Sequence, residues 1–564
     1  MPSFLTIADK FNSTPEYKAS LEELKTNPAL QAHIRVTERT NDIPEYGWSK
    51  SYTIVIKPSG NLEFEDDVYM NYPLLKVLIP RCFTIFMDSN ENCILGGNGF
   101  LMGPTKFGGA TSVDEDPDEV DPTNVKKGKK GKKAKIPEGS SKPIFDLEII
   151  SKWIEDQECE IVTTDKENGK FVCCRVVYDY IMFGSKNYHL CMPLSCLKPW
   201  LDDESNDTLT GQIIYSTARD IYSNLENILK VRFDNYTMCG ELCDGQHFVP
   251  IDADYPYIKW FGFYNMGHSL DTTETFHQLS SAGLDFVDNE IVFNVGDSHE
   301  KFTEVMLSCR CKKNEGAVIR VRNIKTGIIL QGKIKSVEYI VKRFLRSKLL
   351  GRNSYRNIEA IKERFCEASS YHGLTTAASI RITNNLFAFT KWMMNKCYPT
   401  SVLDITPIKA VRGDLPNGFA HYWSEYLSEG YEDINITLDD FNGEFNPDEY
   451  LANVSFYTKR APGYAPLVIF FRMNQGMGKS TTALALATEM RKNGCKVKII
   501  EQDLCWGHTM SCQAILYHEI NDRNGADIII QSRCNINPTQ YTSYLEITQN
   551  SPTRTIFLTS DKWN

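Results

Sequence analysis

The stretch Val162-Thr-Thr-Asp-Lys-Glu-Asn-Gly-Lys-Phe171 sets Lys166 where one β-rich run ends and another begins, and a third run follows at Ile181-Met-Phe-Gly-Ser185. We interpret these runs as strands of one sheet that present Lys166 as a nucleophile to a nucleotide phosphate. A lysine attacks phosphorus only as a neutral amine, which burial or a nearby cation can favour. Gly169 lets the backbone approach a nucleotide closely. A Lys-x-Asn-Gly tetrad also occurs by chance, so its meaning depends on its partners.

A second stretch, Lys57-Pro-Ser-Gly60, has a similar spacing of lysine and glycine. Proline directly after the lysine fits an edge strand or a turn. No partner motif follows it at a suitable distance along the chain. We therefore assign the nucleophile to Lys166 and treat Lys57 as an ordinary surface residue.

Charged residues recur in a fixed order downstream of Lys166. Glu241 follows Gly240 in a β-like segment, and Glu315 stands just before the strand-like run Gly316-Ala-Val-Ile-Arg-Val321. Lys333 and Lys335 are two residues apart, which predicts one face of a strand. Two carboxylates suit ribose hydroxyls or a magnesium ion, and two lysines suit an α-phosphate. Each motif alone also fits a turn or a solvated strand face; the ordered set predicts a nucleotide site.

In this order, Lys-x-Asn-Gly, Ser-Lys-Asn, Gly-Glu, Glu-Gly-x-Val-Ile-Arg and Lys-x-Lys resemble the motifs of the ATP-dependent RNA ligases, in particular the branch of phage RNA ligase 1 and the fungal tRNA ligases. The resemblance implies that Lys166 accepts AMP from ATP. It implies an α+β nucleotidyltransferase fold, an ATP-grasp-like core of antiparallel sheets. The residues it assigns to the nucleotide are Arg81, Lys106, Gly169, Ser185, Lys186, Glu241, Glu315, Lys333 and Lys335, the two glutamates also as Mg²⁺ ligands. Arg81-Cys82 stands where the family has Arg-Gly.

The resemblance also implies a three-step reaction. The lysine takes AMP from ATP, AMP passes to an RNA 5′-phosphate, and a 3′-hydroxyl displaces AMP to seal the strand. An mRNA capping guanylyltransferase shares the lysine chemistry and is an alternative. Against it, the motif after the nucleophile is Ser-Lys-Asn, and Asn168 rather than aspartate precedes Gly169.

Composition limits the class of protein. The 564 residues predict about two to four domains, and a hydrophobic content of 42% is ample for packed cores. The net charge of -10 argues against a nucleic-acid partner, although a local patch can still bind phosphates. The 17 cysteines form no repeating framework, the N-terminus lacks a signal-peptide pattern, and no apolar run has the length of a membrane span. We expect a soluble intracellular protein, cytoplasmic or nuclear, with free thiols and no structural zinc.

Three domains are expected: a ligase core over residues 1–345, a small helical domain with a linker over 346–455, and a third domain over 456–564. A charged, flexible insert is expected at residues 112–142 of the ligase core. It is either a solvated surface loop, which we favour, or a tail that binds the RNA backbone. Basic residues gather after position 342. With Phe344, Tyr355 and Phe365 between them, they fit RNA binding or an amphipathic helix with a solvated face about equally.

The C-terminal domain carries a P-loop. The apolar run Ala465-Pro-Leu-Val-Ile-Phe-Phe471 leads into Asn474-Gln-Gly-Met-Gly-Lys-Ser-Thr481, and further strand-like runs predict a doubly wound α/β sheet. The expected phosphate-binding residues are Gly476, Gly478, Lys479, Ser480 and Thr481, with Ser480 also on Mg²⁺. Asp503 ends the second strand, where it suits a catalytic base. Arg533 lies in a segment, Asn535-Ile-Asn-Pro538, that resembles phage-type polynucleotide 5′-kinases.

The combined hypothesis is an RNA-repair or tRNA-type ligase with a 5′-hydroxyl kinase that makes the 5′-phosphate the ligase consumes. Its cofactors would be ATP and Mg²⁺, with GTP open for the kinase, and its partner RNA with broken ends. The lid helix of such kinases has no counterpart after the fourth strand, so the kinase is either truncated or degenerate. A P-loop module that binds nucleotide without catalysis is therefore the alternative.

Overall fold

The computed structural model describes most of the chain, and it divides into two compact units, Met1–Ser336 and Val337–Asn564. The described residues are 3–59, 65–105, 109–110, 147–203, 205–206, 211–231, 236–243, 256–350, 358–397, 419–454, 456, 464–473, 476–501, 509–532, 538–551 and 553–559. Among them, no helix has both the length and the apolar character needed to cross a membrane. Those cysteines in these ranges whose side chains are described are free thiols.

The first unit consists mainly of antiparallel strands. In chain order these are β1 (Ile34–Thr40), β2 (Lys50–Ile56), β3 (Thr84–Met87), β4 (Phe100–Leu101), β5 (Cys159–Lys166), β6 (Lys170–Val177), β7 (Tyr180–Ser185), β8 (His189–Pro193), β9 (Thr237–Cys243), β10 (Tyr257–Asn265), β11 (His268–Ser269), β12 (Asn289–Phe293), β13 (Gly316–Asn323) and β14 (Ile329–Lys335). They form three sheets, in the orders β1-β2-β3-β4, β11-β10-β9-β6-β7-β8 and β12-β5-β13-β14. The expectation of antiparallel sheets is confirmed.

Helices cover one face of these sheets. Their ranges in the first unit are Phe4–Ala8, Pro15–Lys25, Pro28–Gln31, Glu65–Asn71, Pro73–Leu78, Leu147–Glu155, Leu194–Asp202, Gln212–Ser223, Leu225–Ile228, Thr272–Ala282 and His299–Arg310. In the sheet of β5, the buried side chains Ile161, Ala317 and Ile334 share a core with Ile154 and Val305 from two of these helices. Since side chains alternate along a strand, the neighbouring positions face the opposite side of that sheet.

The interpretation of β5 and β6 as strands of one sheet is wrong. Lys166 ends β5, and Lys170 begins β6 in the six-stranded sheet, where β6 lies between β9 and β7. The connection passes very close to β9, since a Cβ at Gly169 would lie 2.5 Å from the carbonyl oxygen of Leu242 and 2.7 Å from Cγ of Glu241. Glycine therefore lets the chain cross between sheets, and Lys166 lies where they meet.

The second unit begins with helices. They cover Val337–Leu350, Ile358–His372, Thr376–Cys397, 419–428 and Pro447–Asn453. Lys342, one of the clustered basic residues, is 1% exposed and pairs with Glu338 at 2.6 Å and Asp433 at 3.2 Å. Phe365 is also buried and packs edge-on against Phe344, with ring centroids 5.0 Å apart. These side chains belong to a core and are not available to nucleic acid; Tyr355 lies outside the described residues.

A four-stranded parallel sheet completes the second unit. Its strands are β15 (Leu467–Arg472), β16 (Val497–Glu501), β17 (Ile528–Ser532) and β18 (Arg554–Thr559), in the order β16-β17-β15-β18, and its helices are Lys479–Lys492, Thr509–Asn521 and Pro538–Gln549. The apolar residues of β15 are buried between two helical layers, as expected for a strand covered on both faces.

Candidate active site

The register of three strands brings the predicted lysines onto one face. Gly316 of β13 lies opposite Lys166 of β5 on one side and Lys335 of β14 on the other. Residues directly opposite in neighbouring strands point to the same face, and so do residues two apart in one strand. Lys166, Lys333 and Lys335 therefore share the face that the helices leave uncovered. Lys335 is only 3% exposed and its Nζ is buried, so its charge lies inside the protein and not in solvent.

Lys166 makes an ion pair with Glu315. Its Nζ lies 2.7 Å from Oε1 of Glu315, whose residue exposure is 8%. Glu315 directly precedes β13, and its carbonyl accepts the Ser336 N–H at 2.9 Å. A predicted nucleophile and a predicted carboxylate are thus in direct contact across adjacent strands.

A polar cluster on the opposite face holds Glu315 and Lys166 in register. The side-chain oxygen of Asn314 accepts the N–H of Gly316 at 3.0 Å, and its amide donates to Asp165 at 2.7 Å. Asp165 also pairs with Lys312. Because Asp165 and Asn314 each adjoin one member of the Lys166–Glu315 pair, this cluster fixes the backbone on both sides of it.

Glu241 of β9 completes a group of charges around Lys166. Burial raises the pKa of the Glu241 carboxyl to about 7. The nearby charge of Lys166 lowers this pKa, whereas the charge of Glu315 raises it further. Arg81 also acts on Glu241 and lowers its pKa. Since such effects are strongest at short range, these four side chains form one site.

Arg81 reaches this group from the connection between two other strands. Its guanidinium carbon lies 6.0 Å from the ring centroid of Phe171, the cross-strand neighbour of Glu241. Its buried Nε has no hydrogen-bond partner among the described residues. The following residue, Cys82, has a φ of 52°, a conformation that glycine adopts more easily. The backbone therefore keeps a glycine-like turn although the sequence departs from Arg-Gly here.

The other predicted residues of this site are distributed differently. Lys186 pairs with Glu65 at 3.1 Å, and no contact between it and the Lys166 group is seen among the described residues. Ser185 ends β7 and donates its backbone N–H to the Tyr188 carbonyl. Lys106 lies outside the described residues. Gly109 forms a β-bridge with Lys333 and therefore lies beside β14.

Several residues of the site were not assigned from the sequence. Arg320 lies four residues after Gly316 in β13 and therefore on the same face of the sheet. It is 7% exposed and donates a hydrogen bond to Oγ1 of Thr164 at 3.2 Å. Phe171 lies beside Glu241. The period of two along β13 would have revealed Arg320, because it shares the parity of Gly316. The Asp165–Asn314 contact joins positions 149 residues apart, and no local pattern indicates it.

The carboxylates of Glu241 and Glu315 fit a divalent cation. The charge of Glu315 is close enough to raise the pKa of Glu241, so a divalent cation bound by both carboxylates would offset their repulsion, in addition to the charge of Lys166. Oxygen ligands of this type suit Mg²⁺. The donor set of this chain is therefore compatible with the magnesium that the sequence led us to expect.

The residues predicted to form a P-loop follow the carboxyl end of β15. Gly476 and Gly478 have φ values of 81° and 77°, and a Cβ on either would meet nothing within 4 Å, so glycine is required for conformation and not for space. The helix Lys479–Lys492 begins directly after Gly478. Ser480 and Thr481 are exposed in its first turn, where backbone N–H groups can bind an anion. Asp503 and Arg533 lie outside the described residues.

Comparisons with known proteins give similarity to solved structures only. No protein-family model and no curated protein matches the chain. Its structure is similar to an archaeal ATP-dependent RNA ligase, form 2, with a TM-score of 0.37 and 12% identity over 78% of this chain and 100% of that one. It is also similar to an RNA ligase of Naegleria gruberi with PPi, with a TM-score of 0.25 and 13% identity over 55% of this chain and 98% of that one. Because these TM-scores are below 0.5, the contacts of this chain's own residues have to carry any functional proposal.

Proposed function

We propose that the first unit is an ATP-dependent RNA ligase that forms a covalent lysine–AMP intermediate on Lys166. The observation that carries this proposal is the Lys166–Glu315 ion pair, with Glu241 close by, on a sheet face that also bears Lys333 and Lys335. A lysine between carboxylates and further lysines can receive an adenylyl group and counter the charge of its phosphate.

In the first step, Nζ of Lys166 attacks the α-phosphorus of ATP, a P–N bond forms and the bond to pyrophosphate breaks. The attacking amine must lose a proton, and Glu315 is the acceptor at hydrogen-bonding distance. Lys333 and Lys335 stabilise the negative charge on the phosphate. Mg²⁺ held by Glu241 and Glu315 would neutralise the departing pyrophosphate.

In the second step, an RNA 5′-phosphate oxygen attacks the same phosphorus, the P–N bond breaks and Lys166 recovers its amine. In the third step, the 3′-hydroxyl of another RNA end attacks the activated 5′-phosphate. The proton of the hydroxyl passes to solvent, AMP leaves with the negative charge on its oxygen, and a phosphodiester bond results. Broken RNA ends are therefore the proposed substrates.

Lys166→Ala is expected to abolish the covalent transfer of label from α-labelled ATP to the protein, measured after denaturation, because it removes the amine that lies 2.7 Å from Glu315. Lys57→Ala is the matched control, since Lys57 is an exposed lysine in a similar sequence. It should label like the wild type. Wild-type protein that stays unlabelled, or a Lys166→Ala protein that labels fully, contradicts the proposal. Label from GTP but not ATP would favour the capping alternative.

We propose further that the second unit phosphorylates 5′-hydroxyl ends and so supplies the ligase with its substrate. Support comes from the strand–loop–helix arrangement around Gly476 and Gly478, with Lys479 opening the helix. Such a helix N-terminus favours the phosphates of a nucleoside triphosphate.

Lys479→Ala is expected to lower phosphate transfer to 5′-hydroxyl RNA by about 10²–10³-fold, the usual effect of removing one group that stabilises transferred charge. Lys492→Ala, at the other end of the same helix, should have no effect, because the pair that Lys492 makes with Glu489 is exposed to solvent. End-labelling with γ-labelled ATP and GTP measures both variants and the preferred donor. Undiminished phosphate transfer by the Lys479→Ala protein would contradict the P-loop assignment. A wild-type protein that transfers no phosphate would favour a module that binds nucleotide without catalysis.

A further inference from the structure

A buried cluster of sulfur and nitrogen atoms lies beside the ligase site. One possible ligand atom from each of Cys82, Cys173 and His189 lies within 4.8 Å of the other two. All three residues are at most 3% exposed. They come from the turn before β3, from β6 and from β8, and are separated in sequence by up to 107 positions, so the fold alone assembles them.

The two ring nitrogens of His189 have different surroundings. Its Nδ1 lies 2.8 Å from Oγ1 of Thr84, which in turn lies 2.9 Å from Oγ1 of Thr53. Its Nε2 is buried and has no hydrogen-bond partner among the described residues. Metal-bound histidines usually donate one ring N–H to such a fixed acceptor and bind the metal through the other nitrogen. A buried polar nitrogen without a partner is otherwise unfavourable.

A fourth thiol is close to the cluster. Cys239 of β9 is fully buried, and its thiol interacts with that of Cys82. A Cβ at Gly103 would lie 3.0 Å from Sγ of Cys82 and 3.2 Å from Sγ of Cys239, so both sulfurs crowd this glycine. Three thiols and one imidazole are a common ligand set of tetrahedral structural zinc.

The backbone at Cys82 gives an independent indication. Its φ of 52° is a left-handed conformation that strains a residue with a Cβ, and glycine would adopt it without that strain. A cysteine at this position is best explained by a use for its thiol. Cys82 is moreover buried among other thiols, where an ion can stabilise several sulfurs at once.

We propose that Cys82, Cys173 and His189, with Cys239 as the fourth ligand, form a structural zinc site. The three thiols would bind zinc as thiolates and release their protons to solvent, and the metal would supply a partner for Nε2 of His189. The site would tie the turn that carries Arg81 to the sheet that carries Glu241, and so position Arg81 beside the nucleotide. The zinc site itself does not depend on the proposed ligase activity.

The test is metal binding by the full chain. Zinc content by plasma mass spectrometry is expected to be one ion per chain after dialysis against metal-free buffer. Metal-depleted protein given one equivalent of Co²⁺ should develop cobalt–thiolate charge-transfer bands and the visible bands of tetrahedral cobalt. Wild-type protein that retains no zinc and shows no such bands overturns the proposal, as does a spectrum of octahedral cobalt.

Two variants and one control test whether the ion binds at the proposed site. Cys173→Ser is expected to weaken Co²⁺ binding by at least ~100-fold. Cys174→Ser is the control, because Cys174 is equally buried in the same strand but points to the other side of the sheet. Cys82→Gly should also abolish binding, and it keeps the turn without strain, so it folds even where serine disturbs the core. Unchanged binding in Cys173→Ser and Cys82→Gly would overturn the proposed ligand set.

Discussion

Replacing Glu241 by glutamine is expected to raise the free energy of unfolding by about 3 kcal/mol at pH 8 and to lower lysine adenylylation by about 10²–10³-fold. The pKa of Glu241 is raised to about 7 in the folded protein, mainly by burial. At pH 8 the folded protein therefore holds an ionised carboxylate in an unfavourable place. Glutamine removes that charge, and with it the ligand proposed for Mg²⁺. A stability gain with a loss of activity is typical of a functional site.

The stability gain from Glu241→Gln should depend on pH in a definite direction. A carboxyl whose pKa is higher in the folded than in the unfolded protein stabilises the fold most when the pH is below its unfolded pKa, here near 4.5. That contribution to the free energy of unfolding is lost as the pH rises through the folded pKa of about 7. The difference between the variant and the wild type should therefore shrink as the pH falls from 8 toward 4.5, as measured by urea unfolding. Glu290→Gln, at an exposed position of β12, is the control and should show no such trend. A gain that is independent of pH, or full activity in the variant, would speak against the role given to Glu241.

Gly316→Ala is expected to destabilise the first unit by roughly 3 kcal/mol or more and to abolish adenylylation. Gly316 has a φ of 137°, and a Cβ there would lie 2.0 Å from the carbonyl oxygen of Ile334. The backbone of β13 or β14 would have to move. Because Gly316 lies between Lys166 and Lys335 and directly follows Glu315, this movement displaces all three charges.

Gly327→Ala is the matched control for Gly316→Ala. Gly327 lies in the turn between the same two strands and has a φ of 72°, but a Cβ there meets nothing within 4 Å. Its expected effect is about 1 kcal/mol, from backbone strain alone, with adenylylation retained. Thermal unfolding and labelling with α-labelled ATP compare the two variants. Equal effects of both would show that the close contact at Gly316 does not hold the site together.

The sequence placed several of the predicted charges correctly relative to one another, because their placement depends on local rules. Lys333 and Lys335 share a face since side chains alternate along a strand, and Glu315 precedes a strand that begins at a glycine. The order of motifs assigned Lys166 and Glu241. The antiparallel sheets were expected from the resemblance to the RNA ligases, and the strand pairing confirms them.

What the sequence could not reveal depends on contacts between distant positions. The runs on either side of Gly169 were expected to be strands of one sheet. In the structure β6 pairs with β9, which lies close to Gly169, and β5 belongs to a different sheet. The meeting of Cys82 with His189 likewise requires the three-dimensional arrangement of β3, β6 and β8. Phe365 looked like a stacking residue because its burial against Phe344 has no local signature.

The most direct test of the ligase proposal is to locate the AMP on the wild-type protein. The protein would be incubated with ATP and a divalent cation, digested, and its peptides sequenced by mass spectrometry. The expected result is a single adenylyl group on the peptide that contains Lys166, bound to that lysine and removed on addition of pyrophosphate. AMP on a different residue, or no covalent AMP at all, would contradict the central role of Lys166.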